Sequence, residues 1–286
     1  MLNIPIASIY SIITLQIIFG IIASLTFGII GTFVVVKRIS YIAGAISHSI
    51  LGGIGVALYC QEKLDWSYSH PLLGALISAL LAAIIIGLMT RKSHQRIDTV
   101  IGAIWAIGMA TGVLCIAKLE EGYKSIHSYL FGSIALTGQQ DLIIVSILGV
   151  LILIIVMLFY DKLLAICFDS EFSELRGIKV DFYYILLLCL IALTIVILVQ
   201  MIGIIMLIAL LTLPAAVACN FFTKLSSIMI SSVIICMLFT TSGFFLSIPL
   251  KSAVGPVIII VAGISYLTIL VTKYLYFKIK NSKNST

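Results

Sequence analysis

The stretch Ser40-Tyr-Ile-Ala-Gly-Ala-Ile-Ser-His-Ser-Ile-Leu-Gly-Gly53 places a histidine near the middle of an apolar run that extends from about Ile39 to Tyr59. No Asp, Glu, Lys, Arg or other His falls so deep inside a long apolar run of this chain. A titratable side chain at bilayer depth is costly, and it usually marks a functional site. Because imidazole is the commonest metal-binding side chain, His48 predicts both a buried site and a metal cargo.

The whole chain has the composition of an integral membrane protein. Of its 286 residues, 62% are hydrophobic and 10% are charged, and the mean hydropathy is +1.27. Soluble domains carry about 25% charged residues, so spanning helices must dominate. We predict an all-α fold: one polytopic bundle of about eight or nine transmembrane helices that occupies residues 1–286 as a single domain.

Apolar runs bounded by charges, glycines or prolines give nine candidate spans. They lie near 11–36, 39–60, 71–90, 99–117, 141–160, 182–200, 203–221, 225–247 and 255–275. An eight-span version applies if the first helix does not cross the membrane. The segment 129–140 is too short to span and is predicted to be re-entrant or interfacial.

The placement of lysine and arginine predicts the orientation. If alternate loops face the cytoplasm, 13 of the 17 basic residues are cytoplasmic and four are external. This is a strong positive-inside bias, and it puts the basic tail, about 273–286, in the cytoplasm. The uncharged start, residues 1–36, lacks the basic region of a signal peptide and is predicted to stay as the first span. The net charge of +6 reflects loop placement, so we expect lipid and no nucleic acid as a partner.

Small residues share one face of the helix that carries His48. Gly44, His48 and Gly52 are spaced by four, and Gly55 continues their stripe. Such a face lets a second helix backbone approach closely in a membrane. Two interpretations of His48 stay open: a hydrogen bond to a neighbouring carbonyl, or a position facing a symmetry mate or a pore, where two imidazoles meet.

A short helix is predicted at about 169–178, in the longest cytoplasmic loop. Asp169 can cap its start, and Gly177 suits the left-handed position at its end. Phe172 and Leu175 share one apolar face. The pattern fits a knob inserted into a soluble partner, and it equally fits a helix lying on lipid headgroups.

Several other features limit the function. Pro214 lies inside an apolar run and is predicted to bend or break its helix. The sequence has no G-x-x-x-x-G-K-[ST] motif, so ATP hydrolysis must come from another subunit if the protein uses it. No acid lies at bilayer depth, which argues against an ion-coupled carrier. The six cysteines form no C-x-x-C pair, which argues against a thiolate cage.

A series of short motifs follows one another from about Gly28 to Tyr274. They are Gly31–Tyr41 leading into Ile46-Ser-His-Ser49, Asp98–Gly102, Ser128–Gly132, Leu175–Ile178, Val199–Gly203, Leu210–Ala216 and Ser252–Pro256. In this order and spacing, the chain resembles the permease subunits of bacterial metal-ion ATP-binding-cassette (ABC) importers of the zinc, manganese and iron type, known as ABC-3.

The resemblance implies a homodimer of permeases in the bacterial inner membrane. Each copy would bind a cytoplasmic ATPase and receive metal from an external solute-binding protein, with no tightly bound cofactor and no enzymatic activity of its own. The segment 169–178 would be the coupling helix to the ATPase. Its contact residues would be Asp169, Glu171, Phe172, Leu175, Arg176 and Gly177.

His48 matches the histidine of the family's translocation motif, with Ser47 as a possible helper. The family often has an acid four residues earlier, where this chain has Gly44. Loss of that oxygen ligand favours zinc over manganese, since imidazole suits zinc. We therefore expect an importer that moves zinc by alternating access. Manganese, ferrous iron, a siderophore or cobalamin-type chelate, or an ATP-independent carrier remain the alternatives.

Overall fold

The computed structural model describes residues 6–64, 66, 70–92, 97–119, 139–250 and 252–283, and within these residues it contains helices and no strand. The eleven helices of this part of the chain are α1 (Ile6–Val36), α2 (Ser40–Lys63), α3 (Pro71–Lys92), α4 (Ile97–Ile116), α5 (Gln139–Leu158), α6 (Tyr160–Phe168), α7 (Ser170–Leu175), α8 (Val180–Ile202), α9 (Ile204–Ala218), α10 (Leu225–Leu250) and α11 (Val254–Lys283). The predicted all-α fold is confirmed.

Helix α2, which carries His48, lies between α3 and α4, and it also contacts α8 and α9. A tight turn at the end of α1 sets its position. Arg38 takes a left-handed conformation (φ 59°), and the Ile39 amide donates to the Val34 carbonyl at 3.0 Å. These are marks of a Schellman helix end. Because α2 begins at Ser40, His48 lies about 12 Å along α2 from this turn.

Seven of the described helices are long and apolar enough to cross a membrane, or eight if the bent pair of α5 and α6 counts as one span. The angle within that pair is 71°. Helix α1 is long and apolar enough to cross a membrane over Ile18–Val36, so the first helix is not the one that lowers the predicted number of spans. Of the predicted segment 129–140, residues 129–138 lie outside the described residues, and 139 and 140 are the first residues of α5.

The predicted count of nine long spans is corrected at 203–221. Gly203 has φ +83° and separates α8 from α9, which leaves α9 with 15 residues. Such a helix is about 22 Å long, shorter than the hydrocarbon core of about 30 Å. Helix α9 is therefore a short apolar helix packed against α1, α10 and α11.

The predicted helix break at Pro214 is also corrected. Helix α9 continues through Pro214 to Ala218, and the interruption lies at Gly203 instead. Helix α9 packs closely against α1 near this proline. A Cβ atom at Gly31 would overlap the Leu211 carbonyl oxygen, so α1 lies directly against α9 one turn before the proline.

Basic side chains collect at one end of the bundle, which we call the basic end. Helices α1 and α10 run antiparallel, with Gly28 beside Val233 and Gly20 beside Thr240, so the end of α1 lies near the start of α10. Lys273 near the end of α11 donates to Asn220 after α9, at 3.1 Å. The basic end carries Lys37, Arg38, Lys162, Arg176, Lys179, Lys224 and Lys273.

Candidate functional site

The imidazole of His48 lies partly buried in the first half of α2, where it stacks on Trp105 of α4. The two ring centroids are 4.5 Å apart, and the ring planes differ by 15°. The Nδ1 atom of His48 is buried and has no hydrogen-bond partner among the residues that the structure describes. A bond from Nδ1 to a neighbouring carbonyl, one of the two interpretations that the sequence left open, is therefore not formed.

Trp105 also fills the space beside Gly44, one turn before His48. A Cβ atom at Gly44 would lie 3.2 Å from Cζ3 of Trp105 and 3.6 Å from Cδ1 of Ile208. The indole thus lies where a longer side chain at position 44 would extend. Trp105 was not predicted from the sequence, because no spacing rule connects a residue of α4 with one of α2.

The other two glycines of the predicted packing face lie directly against α4. A Cβ atom at Gly52 would lie 2.7 Å from the carbonyl oxygen of Gly108, and one at Gly55 would lie 2.7 Å from that of Gly112. The two helix backbones approach each other closely here, and Thr111 Oγ1 also lies 2.7 Å from a Cβ at Gly52. Gly108 and Gly112 were also missed, although Gly108-Met-Ala-Thr-Gly112 is a G-x-x-x-G motif that the sequence displays.

Ser47 is fully buried, and its hydroxyl donates to the Ala43 carbonyl of its own helix at 2.8 Å. Successive residues of a helix point about 100° apart, so Ser47 and His48 lie on different faces of α2. Ser49 also bonds within the helix, to the Ile46 carbonyl at 2.7 Å. Neither hydroxyl is directed toward the imidazole.

One copy of the chain offers few metal ligands around His48. Among the residues that the structure describes, no group of three or more His, Cys, Asp and Glu side chains could hold a metal ion. The six thiols, at Cys60, Cys115, Cys167, Cys189, Cys219 and Cys236, are free. His48 therefore belongs to no such group within the described residues of one copy.

A groove of about 700 Å³ runs between α2, α3 and α4. Ser49 lies in its wall near the level of His48, and Trp66 and His70 line the end away from the basic end. Most of the other lining residues are aliphatic or glycine, and His48 is not among them. Such walls suit hydrocarbon better than a hydrated cation, so this groove does not offer a route for metal.

The second predicted region, at 169–178, forms the short helix α7. The carboxylate of Asp169 accepts a hydrogen bond from the Phe172 amide at 2.9 Å, which caps the start. Gly177 has φ +77°, and the Ile178 amide donates to the Ser173 carbonyl at 3.1 Å. These bonds close α7 with a Schellman motif, and the predicted cap and stop are confirmed.

The apolar residues of α7 point away from the bundle. Leu175 is 88% exposed and Phe172 is 52% exposed, whereas Ser173 on the opposite face is 1% exposed. The guanidinium of Arg176 lies 4.7 Å from the centroid of the Phe172 ring, which holds that ring in place. Glu171 lies exposed in the first turn. The helix thus presents an apolar knob with charged neighbours.

Lys37 links this region to the turn between α1 and α2. Its Nζ atom donates to Ser170 Oγ at 2.8 Å and to the Ile166 carbonyl. The Lys37 side chain therefore connects the end of α1 to the junction of α6 and α7. The start of the helix that carries His48 is connected in this way to the base of the apolar knob.

Comparisons with known proteins agree with this structure. A model of the ABC 3 transport family matches residues 9–273. The chain belongs to the ABC 3 transport family. A relative from Chlamydia muridarum, named "Probable metal transport system membrane protein", is 41% identical over 251 residues, which are 88% of this chain and 85% of the relative. The manganese import system permease protein ScaB of Streptococcus parasanguinis is 30% identical over 240 residues, 84% of this chain and 83% of the relative.

A solved structure supports the same assignment. PsaBC from Streptococcus pneumoniae, in complex with a Fab, superposes with a TM-score of 0.77 at 28% identity, and the match covers 88% of each chain. The resemblance predicted from the motif series is confirmed. This family member is a multi-pass membrane permease of a metal ABC importer. It is not itself an enzyme, because the ATPase of such an importer is a separate subunit.

Proposed function

We propose that this permease carries a divalent metal ion into the bacterial cytoplasm, across the inner membrane, and that the metal passes His48. The observation that carries this proposal is the buried Nδ1 atom of His48, in the first half of α2, which has no hydrogen-bond partner among the described residues. An unsatisfied polar atom at this depth costs free energy, which a bound cation would recover. Membership of a metal-transport family supports the same cargo class.

Zinc is the proposed metal. Imidazole is a good zinc ligand, whereas manganese prefers oxygen ligands. Position 44 carries no carboxylate, and the indole of Trp105 occupies the adjoining space. Manganese is the second candidate, because the relative ScaB is named a manganese import permease.

Two copies of the chain are proposed to form the pathway together. One copy supplies one imidazole, and its described residues contain no metal-binding group of three or more side chains. A homodimer would double the ligands if both His48 side chains face the same axis. The exposed apolar face of α4, which includes Ile107 and Leu114, is available for burial against lipid or a second copy.

The basic end is proposed to face the cytoplasm, with the C-terminus there. Its collection of lysines and arginines fits the positive-inside rule. The knob formed by Phe172 and Leu175 would then enter the ATPase, and an external binding protein would deliver metal at the opposite end. ATPase closure would move α7, and Lys37 would pass the movement to the turn before α2.

Metal uptake tests the function. The chain would be expressed with its ATPase and binding protein in cells that lack their own zinc importer. We expect zinc uptake to return, with an excess of manganese competing weakly. If manganese competes as well as unlabelled zinc does, the proposal that zinc is the preferred cargo is wrong. No uptake of any divalent metal would refute the importer.

A matched pair of exposed apolar residues tests the docking of α7. Leu175→Asp should reduce co-purification with the ATPase by about 10-fold or more, as expected when an apolar anchor is lost. Phe222→Asp serves as the control, because Phe222 is also an exposed apolar residue at the basic end but lies outside α7. If Leu175→Asp binds the ATPase as well as the control does, α7 is not the docking helix.

A further inference from the structure

Histidine ligands of metals usually have both ring nitrogens engaged. One nitrogen binds the metal, and the other donates to a carboxylate, a carbonyl or water, which fixes the plane of the ring. In His48 the proposed ligand atom Nδ1 is buried, and neither ring nitrogen forms a hydrogen bond with a described residue that would fix the ring plane. Some other contact must therefore set the ring plane if the side chain is to act as a ligand.

The indole of Trp105 supplies that contact. Its ring lies 4.5 Å from the imidazole at an interplanar angle of 15°, so the two aromatic faces are nearly parallel. The lone pair of an imidazole nitrogen lies in the ring plane. A stacked neighbour therefore fixes the plane while leaving the in-plane approach of a metal open.

The backbone around Trp105 holds the indole at this place. One turn later on α4, a Cβ atom at Gly108 would lie 2.5 Å from Cα of Ser49, the residue after His48. The two backbones are thus in direct contact beside the stacked pair. On the other side, Gly44 leaves room for the ring, since a Cβ atom there would lie 3.2 Å from Cζ3 of Trp105.

We propose that Trp105 is a positioning residue for His48: the stacked indole sets the imidazole plane for metal binding, and Gly44 makes the space for the stack. The inference rests on the proposed role of His48 in the metal pathway. It adds a specificity element, because the indole occupies the space next to His48 into which an oxygen-bearing side chain at position 44 would extend.

The test is the concentration dependence of zinc uptake by the complete importer in cells. We expect Trp105→Ala to raise the KM for zinc by about 10-fold or more while the maximal rate changes much less, as for the loss of other groups that orient a ligand. Trp105→Phe keeps an aromatic face and should stay within about 3-fold of wild type. Gly44→Leu should behave like Trp105→Ala, because its side chain would push the indole off the imidazole.

Expression level and co-purification with the ATPase identify variants that fail to fold, and Trp66→Ala is the matched control for the loss of an indole. Trp66 is the other of the two tryptophans, and it is exposed outside the helices. An unchanged KM in Trp105→Ala, or a Trp105→Phe variant as impaired as Trp105→Ala, would overturn the positioning role while leaving the importer intact. Absence of uptake by the wild-type protein would instead remove the proposed function, and the inference with it.

Discussion

The ends of the short helix α7 are formed by contacts between residues close in sequence, whereas the site around His48 is formed by contacts between residues far apart in sequence. The bonds that cap and close α7 join residues close in sequence, from the cap at Asp169 to the left-handed Gly177. The surroundings of His48 come from another helix, through Trp105 and the glycines of α4. We expect changes within α7 to leave the bundle intact, whereas the site around His48 depends on the close approach of the α2 and α4 backbones.

The largest expected effect comes from the close approach of α2 and α4. A Cβ atom at Gly112 would lie 2.5 Å from the carbonyl oxygen of Leu51, and backbone cannot move aside as a flexible side chain would. Gly112→Ala should therefore lower stability by about 1–3 kcal/mol, the usual range for overpacking. Thermal unfolding of the purified protein in detergent measures this change.

Gly102→Ala is the control for Gly112→Ala, because both residues lie in α4 and no atom of the described residues lies within 4 Å of a Cβ at Gly102. Removing a helical glycine there should leave stability unchanged or raise it slightly. If the two variants unfold at the same temperature, the contact between α2 and α4 is looser than described.

A smaller effect is expected at the end of α7. Gly177 has φ +77°, and no atom lies within 4 Å of a Cβ there, so Gly177→Ala adds backbone strain without a clash. The strain of about 1–2 kcal/mol should speed hydrogen exchange at the Ile178 amide, which closes the helix. Overall unfolding should not change, and a lowered unfolding temperature would show that α7 is coupled to the bundle.

The cap of α7 gives the next effect. Asp169→Ala removes the acceptor of the Phe172 amide and should destabilise the helix start by about 1 kcal/mol. Amide exchange at Phe172 should rise by about 5-fold in this variant. Asp169→Asn, which keeps an oxygen acceptor, should exchange at close to the wild-type rate, and equal exchange in all three proteins would refute the cap.

The smallest effect on stability is expected at Lys37, which connects the two regions. Lys37→Met removes the bonds to Ser170 and the Ile166 carbonyl at a partly exposed site, where such contacts contribute about 0.5–1.5 kcal/mol. Zinc-stimulated ATP hydrolysis by the complex should fall more than thermal stability does. Lys224→Met, at the same end of the bundle, is the control, and equal hydrolysis in both variants would exclude a link through Lys37.

Local signals explain which parts could be predicted from sequence. The apolar runs, the cap at Asp169 and the stop at Gly177 depend on neighbouring residues, so the helical fold and α7 were predicted correctly. The stack on Trp105 depends on how two distant helices meet, which no period or motif encodes. The boundary between the candidate spans 182–200 and 203–221 was predicted close to Gly203, whereas the helix break predicted at Pro214 was wrong, because the helix continues through this proline.

The central claim is that metal passes His48, and uptake of radioactive zinc by the complete importer in proteoliposomes tests it most directly. His48→Ala should lose most of the zinc uptake while keeping its expression and its binding to the ATPase. His70→Ala is the control, because His70 is exposed at the end of the bundle away from the basic end. Zinc uptake by His48→Ala equal to that of His70→Ala and of the wild type would contradict the claim.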